Sequence, residues 1–344
     1  MRNVDIVIPG LFLPQEICAD ACAGLPVPFL ETMLARSTME PLPGNGYSCD
    51  TLEKWLCQKF GMERQQDEPI APVTLAADGM QPGDGYWLRA DPVHLQMRRT
   101  QLLLLPDLVL GAEEAAQLCA SLNLHFNADG LHFFAPSPQR WYLRVEDAPK
   151  IVTTPLAQAS GRGVQMHLPK GKDALRWHKI FNEIQMIFFE HEVNRTRETR
   201  GDLPVNSVWI WGGGRAAGKI VSPYERVCGD SFLAGAFALT AGIDPGPAAG
   251  DLTRLPAMDG DMLVAWEGLQ RPLLQGDLHA WRDSVLCLEQ EYLVPLWEAL
   301  RNGRVRQLSL DVPGAGLGYR FVMKKNAAWK LWRMAKPLEK YSLR

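Results

Sequence analysis

The stretch Leu203 to Gly214, LPVNSVWIWGGG, ends on three consecutive glycines and runs straight into Arg215. Val208, Trp209, Ile210 and Trp211 form a short apolar run of β type, which predicts a strand buried on both faces. Glycines that stop such a strand let the backbone take positive φ and approach a ligand closely. The Arg215 guanidinium would then meet an anion there. The same residues also describe a plain turn leaving a sheet, with Arg215 in solvent. No Gly-Lys-Ser/Thr follows, so this is not a phosphate-binding P-loop. Just upstream, Arg195, Arg197 and Arg200 place three arginines in the seven residues 194–200. Cys18 and Cys22 are four apart, but no second Cys pair or His cluster completes a zinc site. At the C-terminal end, Trp329, Trp332 and Met334 interleave with Lys330, Arg333 and Lys336. A basic segment with aromatic anchors suits docking onto its own core first, the alternatives being a membrane surface, a protein partner's groove or nucleic acid.

A scaffold has to hold these residues. Asp5 to Ile8 predicts a first strand ending at Pro9-Gly10. Asp50 is placed to cap a helix from Thr51 to Phe60, with Glu53 completing a capping-box pattern. Pro72 to Leu75 and Leu102 to Leu105 read as short strands, and Gly83 to Leu95 as a turn and a strand. Glu113 and Glu114 sit in the first turn of a helix from Ala112 to Asn123, where the helix dipole favours them. Leu131–Ala135 and Trp141–Val145 predict a hairpin. Asp173 to Val193 and Asp277 to Leu300 each predict one long amphipathic helix, and Ser231 to Ala241 a helix of small residues. Met262–Trp266 and Val305–Asp311 complete the strands. Strands alternate with helices at both ends while the middle is rich in hairpin signals. The expected architecture is a layered α/β core, residues 1–80 and 203–344, interrupted by an α+β insertion, residues 81–202.

The 344 residues are 47% apolar, enough for two domains or one with a large insertion. A net charge of −3 and a pI near 6.2 give no electrostatic ground for nucleic-acid binding. The start of the chain lacks the apolar core of a signal peptide, and no apolar run approaches the ~20 residues that span a bilayer. Seven scattered cysteines, an odd number, predict reduced thiols and a cytoplasmic protein.

From Gly85 to about Gly303 the chain resembles the archaeal-type cofactor-independent phosphoglycerate mutases of the alkaline-phosphatase-like superfamily. The resemblance lies in ordered blocks: GYWLRADPVHL, WYLRV, TTPLAQASGRGV, HEVNRTRETRGDLPVNSVWIWGGG and DSFLAGAFALTAGI. The whole chain is also similar to a bacterial group of phosphoglycerate-mutase-related, RpfE-type regulatory proteins. The resemblance implies an alkaline-phosphatase-like metal-binding α/β core with an inserted domain that offers arginines to a phosphorylated substrate. Arg89 with Asp91, then Arg144, then Arg195, Arg197 and Arg200 fall in its arginine-bearing blocks. Guanidinium groups converging from several elements, Arg215 among them, suit a phosphate through bidentate bonds, and His94 and His191 are candidates to line the same pocket. The alternative is that these are ordinary surface arginines paired with Glu146, Glu198 and Asp202.

The family's catalytic positions are where this chain departs. Pro9 stands where the first strand of the family carries a metal-binding Asp. Gln270 and Leu274 stand at the Asp and His of an Asp-x-x-x-His motif, and Val312 follows Asp311 where the family has a His. His279 is the last histidine of the chain. Proline and leucine offer no lone pair, and glutamine is a weak neutral ligand for the two divalent ions that such phosphoryl transfer needs. Ser37, Thr38 and Ser48 lie in the region of the family's nucleophile without a recognisable motif. The expectation is therefore a catalytically degenerate regulatory protein without a cofactor, binding a phosphorylated small molecule or, through the tail, a protein partner. The alternative is a working phosphomutase or phosphatase dependent on Mn or Zn.

Overall fold

A computed structural model of the chain describes residues 2–42, 50–99, 101–218, 220–246, 260–314, 318–328 and 332–342. The strands are β1 (Arg2–Val7), β2 (Thr38–Pro41), β3 (Tyr86–Arg98), β4 (Gln101–Leu105), β5 (Leu131–Ser137), β6 (Arg140–Val145), β7 (Ile151–Val152), β8 (Lys170–Gly171), β9 (Ser207–Arg215), β10 (Arg226–Gly229), β11 (Met262–Ala265), β12 (Val305–Val312) and β13 (Tyr319–Lys324). They belong to two compact units, Met1–Gly61 with Ile220–Arg344, and Met62–Lys219.

The first unit holds a six-stranded sheet in the order β10-β11-β1-β12-β13-β2. The first four strands run parallel, and β13 and β2 close one edge antiparallel. Parallel neighbours need crossovers, and helices supply them while covering the sheet. Val4 and Ile6 on β1, with Ile8 just after it, enter one apolar cluster with Leu308, Leu310, Trp281, Val285 and Leu296. Asp5 and Val7 turn to the opposite face, because successive strand residues point to opposite sides. The expected helix from Asp277 to Leu300 is interrupted by a π-helical turn, Glu289–Leu293, between helices Leu278–Leu288 and Val294–Arg301. Pro295 accounts for it, since its ring and missing N–H disrupt the preceding turn. Glu289, inside that turn, accepts the backbone N–H groups of Phe29 (2.7 Å) and Leu30 (2.9 Å), and so caps helix Pro28–Arg36 from 259 residues away. Helix Leu52–Lys59 is capped by Thr51, whose Oγ1 accepts from Lys54 N at 3.3 Å. Asp50, expected in that role, pairs with Lys54 Nζ at 2.6 Å instead.

The second unit is a five-stranded antiparallel sheet, β4-β3-β6-β5, with β9 paired to β3. Helices Ala112–Phe126 and Ala174–Phe189 pack through Leu118, Leu122, Trp177, Ile184 and Phe188 on an apolar cluster with Leu88, Leu143 and Val208. Ala71 and Leu75 meet Trp87 and Tyr142 in a second cluster. The unit is α+β, as expected, but its limits differ from the expected 81–202. Residues 203–219 belong to it because β9 pairs with β3 from Val93–Ser207 to Tyr86–Arg215. Residues 62–80 belong to it because Ile70–Ala77, where a strand was expected at Pro72–Leu75, is a helix packed against that sheet. A short apolar run does not reveal its own period, and a proline is tolerated in a first helical turn.

The glycine triplet does not end β9. The strand continues through it, with Trp87 opposite Gly214 and Tyr86 opposite Arg215, and a register shift falls between Trp87 and Arg89. Gly212 takes φ +65°, and a Cβ on Gly214 would lie 2.4 Å from Pro69 Cβ. The glycines therefore make room for the chain entering helix Ile70–Ala77. The expected single helix from Asp173 to Val193 also breaks, at Phe189, and a new helix runs over Glu192–Arg200.

Candidate functional site

The arginines of the second unit are divided among separate environments. Arg89 and Asp91 come together on β3, where Arg89 Nη2 lies 2.5 Å from Asp91 Oδ1 and Nη1 donates to Thr74 Oγ1 at 3.3 Å. The guanidinium sits over the rings of Tyr142 and Trp211 at 5.2 and 5.4 Å. The Trp211 indole donates to Asp91 Oδ2 at 2.7 Å. Next to this pair, Asp78 accepts from Arg140 at 2.6 Å and from the Tyr142 hydroxyl at 2.6 Å. Burial works against the Asp78 carboxylate, yet Arg140 and Tyr142 outweigh it and hold the group below its usual range. Arg89, Asp91, Thr74, Tyr142 and Trp211 are buried, and Arg140 marks the edge of the network with its side chain 31% exposed.

Arg197 is buried elsewhere, donating to Leu203 O, Val109 O and Glu114 Oε2, each at 2.9 Å. Glu114 also takes Arg200 at 2.5 Å. Arg195 is 63% exposed and faces Glu192 at 3.7 Å. Arg144 is exposed on β6 opposite Trp87, and Arg215 is exposed on β9 opposite Tyr86, so these two flank the start of β3. Arg215 donates to Asp84 O. Arg89 and Arg197 thus share no partner and do not form one pocket. His191 is the N-cap of helix Glu192–Arg200: its Nδ1 accepts from Val193 N at 3.2 Å, and its Nε2 meets Ser121 Oγ at 2.9 Å. That fixes Nε2 as the protonated nitrogen. His94 Nδ1 lies 2.9 Å from Pro204 O.

The first unit places a second ionic group on the face of the parallel sheet opposite its main apolar cluster. Asp311 on β12, fully buried, receives Arg320 twice, Nε to Oδ1 at 2.7 Å and Nη2 to Oδ2 at 2.6 Å, and the Trp55 indole at 2.7 Å. Asp5 on β1 receives Lys59 Nζ at 2.8 Å, the Tyr224 hydroxyl at 2.8 Å and Arg320 Nη2 at 3.1 Å. Burial opposes ionisation of both acids. At Asp5 the charges of Lys59 and Arg320 win and hold the carboxyl below its usual range, whereas at Asp311 burial wins and raises it.

Beyond the ends of β10 and β11 lies a third group. Ser231 caps helix Phe232–Thr240 through Ala234 N at 3.2 Å and donates to Glu267 Oε1. Gln270 Nε2 donates to Glu267 Oε2 at 3.1 Å, and Glu267 N donates to Asp230 Oδ1 at 2.6 Å. Burial, with Glu53 and Asp230 nearby, pushes the Glu267 carboxyl up to about 7. Sequence reasoning missed this carboxyl. Its one signal was position, because open α/β sheets place their functional groups just past the carboxyl ends of parallel strands.

Of the other candidates, Ser37 donates back to Met33 O at 2.6 Å, Thr38 begins β2, and Ser48 lies outside the described residues. The Cys18 and Cys22 sulfurs are 3.8 Å apart, and burial pushes the Cys22 thiol up to about 12. Trp329 and Lys330 lie outside the described residues. Farther along the tail, Leu338 is buried and Tyr341 stacks on Phe12, while Trp332 and Met334 are 77% and 82% exposed. Among the described residues no helix is long and apolar enough to cross a membrane.

The class these features define is a layered α/β protein with an α+β insertion. No family profile matches the chain. It is 31% identical over 119 residues to the probable 2,3-bisphosphoglycerate-independent phosphoglycerate mutase of Geobacter sulfurreducens, covering 34% of this chain and 29% of that protein. It is 28% identical over 109 residues to the 2,3-bisphosphoglycerate-independent phosphoglycerate mutase of Methanosarcina barkeri, covering 31% of this chain and 27% of that protein. Each match thus spans under a third of the relative's length. The PH0037 protein from Pyrococcus horikoshii superposes on 100% of this chain and 98% of its own, with a TM-score of 0.55 and 11% identity, which establishes a shared fold alone. The cofactor-independent phosphoglycerate mutase from Thermoplasma acidophilum covers 100% of this chain and 95% of its own at a TM-score of 0.49 and 14% identity, too low to argue from. The chain shares the fold of the Pyrococcus protein, and these two sequence relatives are named as 2,3-bisphosphoglycerate-independent phosphoglycerate mutases.

Proposed function

We propose that this chain is a phosphoglycerate-mutase-like protein that has given up metal-dependent phosphoryl transfer and acts as a regulatory binding protein. The observation that carries the reading is the state of Asp311, whose two oxygens are taken by Arg320 and Trp55. A two-metal site needs free carboxylate or imidazole lone pairs at several strand ends. Pro9 beyond β1 has none, Leu274 has none, and the Gln270 amide is engaged with Glu267. Mn or Zn therefore does not fit these residues.

A protein partner suits the surface better than a phosphorylated metabolite. Arg89 and Arg197, two of the arginines the resemblance offers to a phosphate, are buried and already paired within the fold, with Asp91 and Glu114. The tail, anchored by Leu338, leaves the Trp332 and Met334 side chains to solvent. The test is phosphoglycerate mutase and generic phosphatase turnover by the full chain, with and without Mn²⁺, alongside thermal shift with 3-phosphoglycerate. No turnover and no metal-dependent shift are expected. Mn²⁺-dependent turnover would overturn the reading. A metal-free shift with 3-phosphoglycerate, lost in Arg144→Ala or Arg215→Ala, would move the ligand from a protein to a metabolite.

A further inference from the structure

The second unit holds a cavity of about 100 Å³ between the β5–β6 hairpin and the first turn of helix Ala174–Phe189. Leu131 and Val145, paired across the hairpin, and Trp177 from the helix line it. Trp177 is 3% exposed, and its indole Nε1 is buried without a hydrogen-bond partner among the described residues. A buried N–H left unpaired is rare and costly, and it asks for an acceptor that the fold does not supply. Two further sets of donors border the same cavity. The first-turn N–H groups of a helix have no acceptor within it. Asp173, in the cap position, does not cap them, because its Oδ2 accepts from Lys150 N at 2.7 Å. Arg176 has a single, long hydrogen bond among the described residues, Nη2 to Asp129 O at 3.4 Å. Around these donors stand the carboxylates of Asp129, Glu146, Asp147 and Asp173.

We propose that this cavity binds a small zwitterion of the α-amino-acid kind, its carboxylate on Trp177, Arg176 and the helix N-terminus and its ammonium on the surrounding acids. The inference goes beyond the regulatory reading above and uses none of its residues. The two halves of the lining select the ligand. A simple anion would satisfy the donors but would face four carboxylates against one guanidinium. A metal ion or an alkylammonium would suit the carboxylates but brings no acceptor, so the indole N–H would stay unpaired. A molecule that carries both charges answers both needs. The helix dipole further favours a carboxylate at the first turn. Glu146 and Asp147 are exposed and leave the rim open to solvent, while the buried Leu131 and Val145 form an apolar floor. The cavity volume has room for a short side chain alone.

The experiment titrates the full chain at neutral pH with glycine, L-alanine and L-serine, read by calorimetry and by thermal unfolding. Acetate and methylammonium serve as the two half-ligands. At least one of the three amino acids should bind saturably, one per chain, and raise Tm, and neither half-ligand should match it. Glu146→Gln with Asp147→Asn, both on the exposed rim, should weaken that binding about tenfold with little change in the Tm of the free protein. Trp177→Phe, which removes the N–H and keeps an aromatic ring, should weaken it by about the same factor. No saturable binding at millimolar concentration, a half-ligand that binds as tightly as the zwitterion, or either variant binding like the wild type would each overturn the proposal. Should Trp177→Phe not fold, the rim variant decides. The Mn²⁺ and 3-phosphoglycerate measurements bear on the regulatory reading alone, so the two can fail separately.

Discussion

The buried charges of the two units are compensated over very different ranges. In the second unit, Arg89 and Asp91 are two residues apart on one strand, and aromatic rings from β6 and β9 cover them. In the first unit, Asp5 finds its partners 54, 219 and 315 residues away. A local pair forms whenever its strand forms. A pair assembled from β1, β13 and a helix requires the whole unit to be in place. The first kind stabilises an element and the second reports on the fold, so substitution should affect them differently.

The largest effect is expected at the local pair. Arg89→Met leaves Asp91 buried without its cation, which should lower stability by about 3–5 kcal/mol in urea unfolding. Adding Asp91→Leu should return a good part of that, because two apolar groups in place of a buried ion pair are often tolerated. The Trp211 indole, which Asp91 now accepts, limits the recovery. A double variant no better than Arg89→Met would place the whole value of the pair in its fixed geometry and remove the distinction drawn between the units.

A middle-sized effect belongs to the first unit's carboxyl without a cation. The Glu267 pKa, raised from 4.5 to about 7, means that the folded protein holds a proton which the unfolded chain has released. The corresponding stability is present in full below pH 4.5 and is lost as pH rises through about 7. Glu267→Gln should therefore flatten stability across that window and exceed the wild type at pH 8 by on the order of 1–3 kcal/mol. Asp67 of the second unit, raised by burial to about 6, should keep some of the slope in that variant. A variant as pH-dependent as the wild type would remove Glu267 from the account.

The smallest effect is expected at Arg195, whose contact with Glu192 at 3.7 Å is open to water. Arg195→Ala should change stability by under about 0.5 kcal/mol, measured in the same urea series. A larger loss would show that this exposed arginine holds something beyond Glu192.

Much of the scaffold was legible in the residues. Short apolar runs marked β1, β6 and β12, and Glu113 and Glu114 marked the first turn of helix Ala112–Phe126. The small residues from Ser231 to Ala241 marked a further helix, because such signals act within a few residues. Local pattern misled where two structures share one composition. The apolar run at Ile70–Ala77 made a helix instead of a strand, and the glycine triplet continued a strand instead of ending it. Arginine-rich blocks could be found by eye, but not whether each guanidinium would face a ligand, water or a carboxylate of its own fold.

What the sequence by itself determined is therefore the place of many elements, the layered α/β class with its insertion, and the chemistry absent from Pro9, Leu274 and Val312. Those are properties of single residues and short periods. The tertiary structure alone decided that Arg197 belongs to Glu114, that Glu289 caps a helix 259 residues away, and that Arg320 lies between Asp5 and Asp311. The reason is electrostatic: burial makes an uncompensated charge costly, and which opposite charge compensates it depends on what folding brings within a few ångströms.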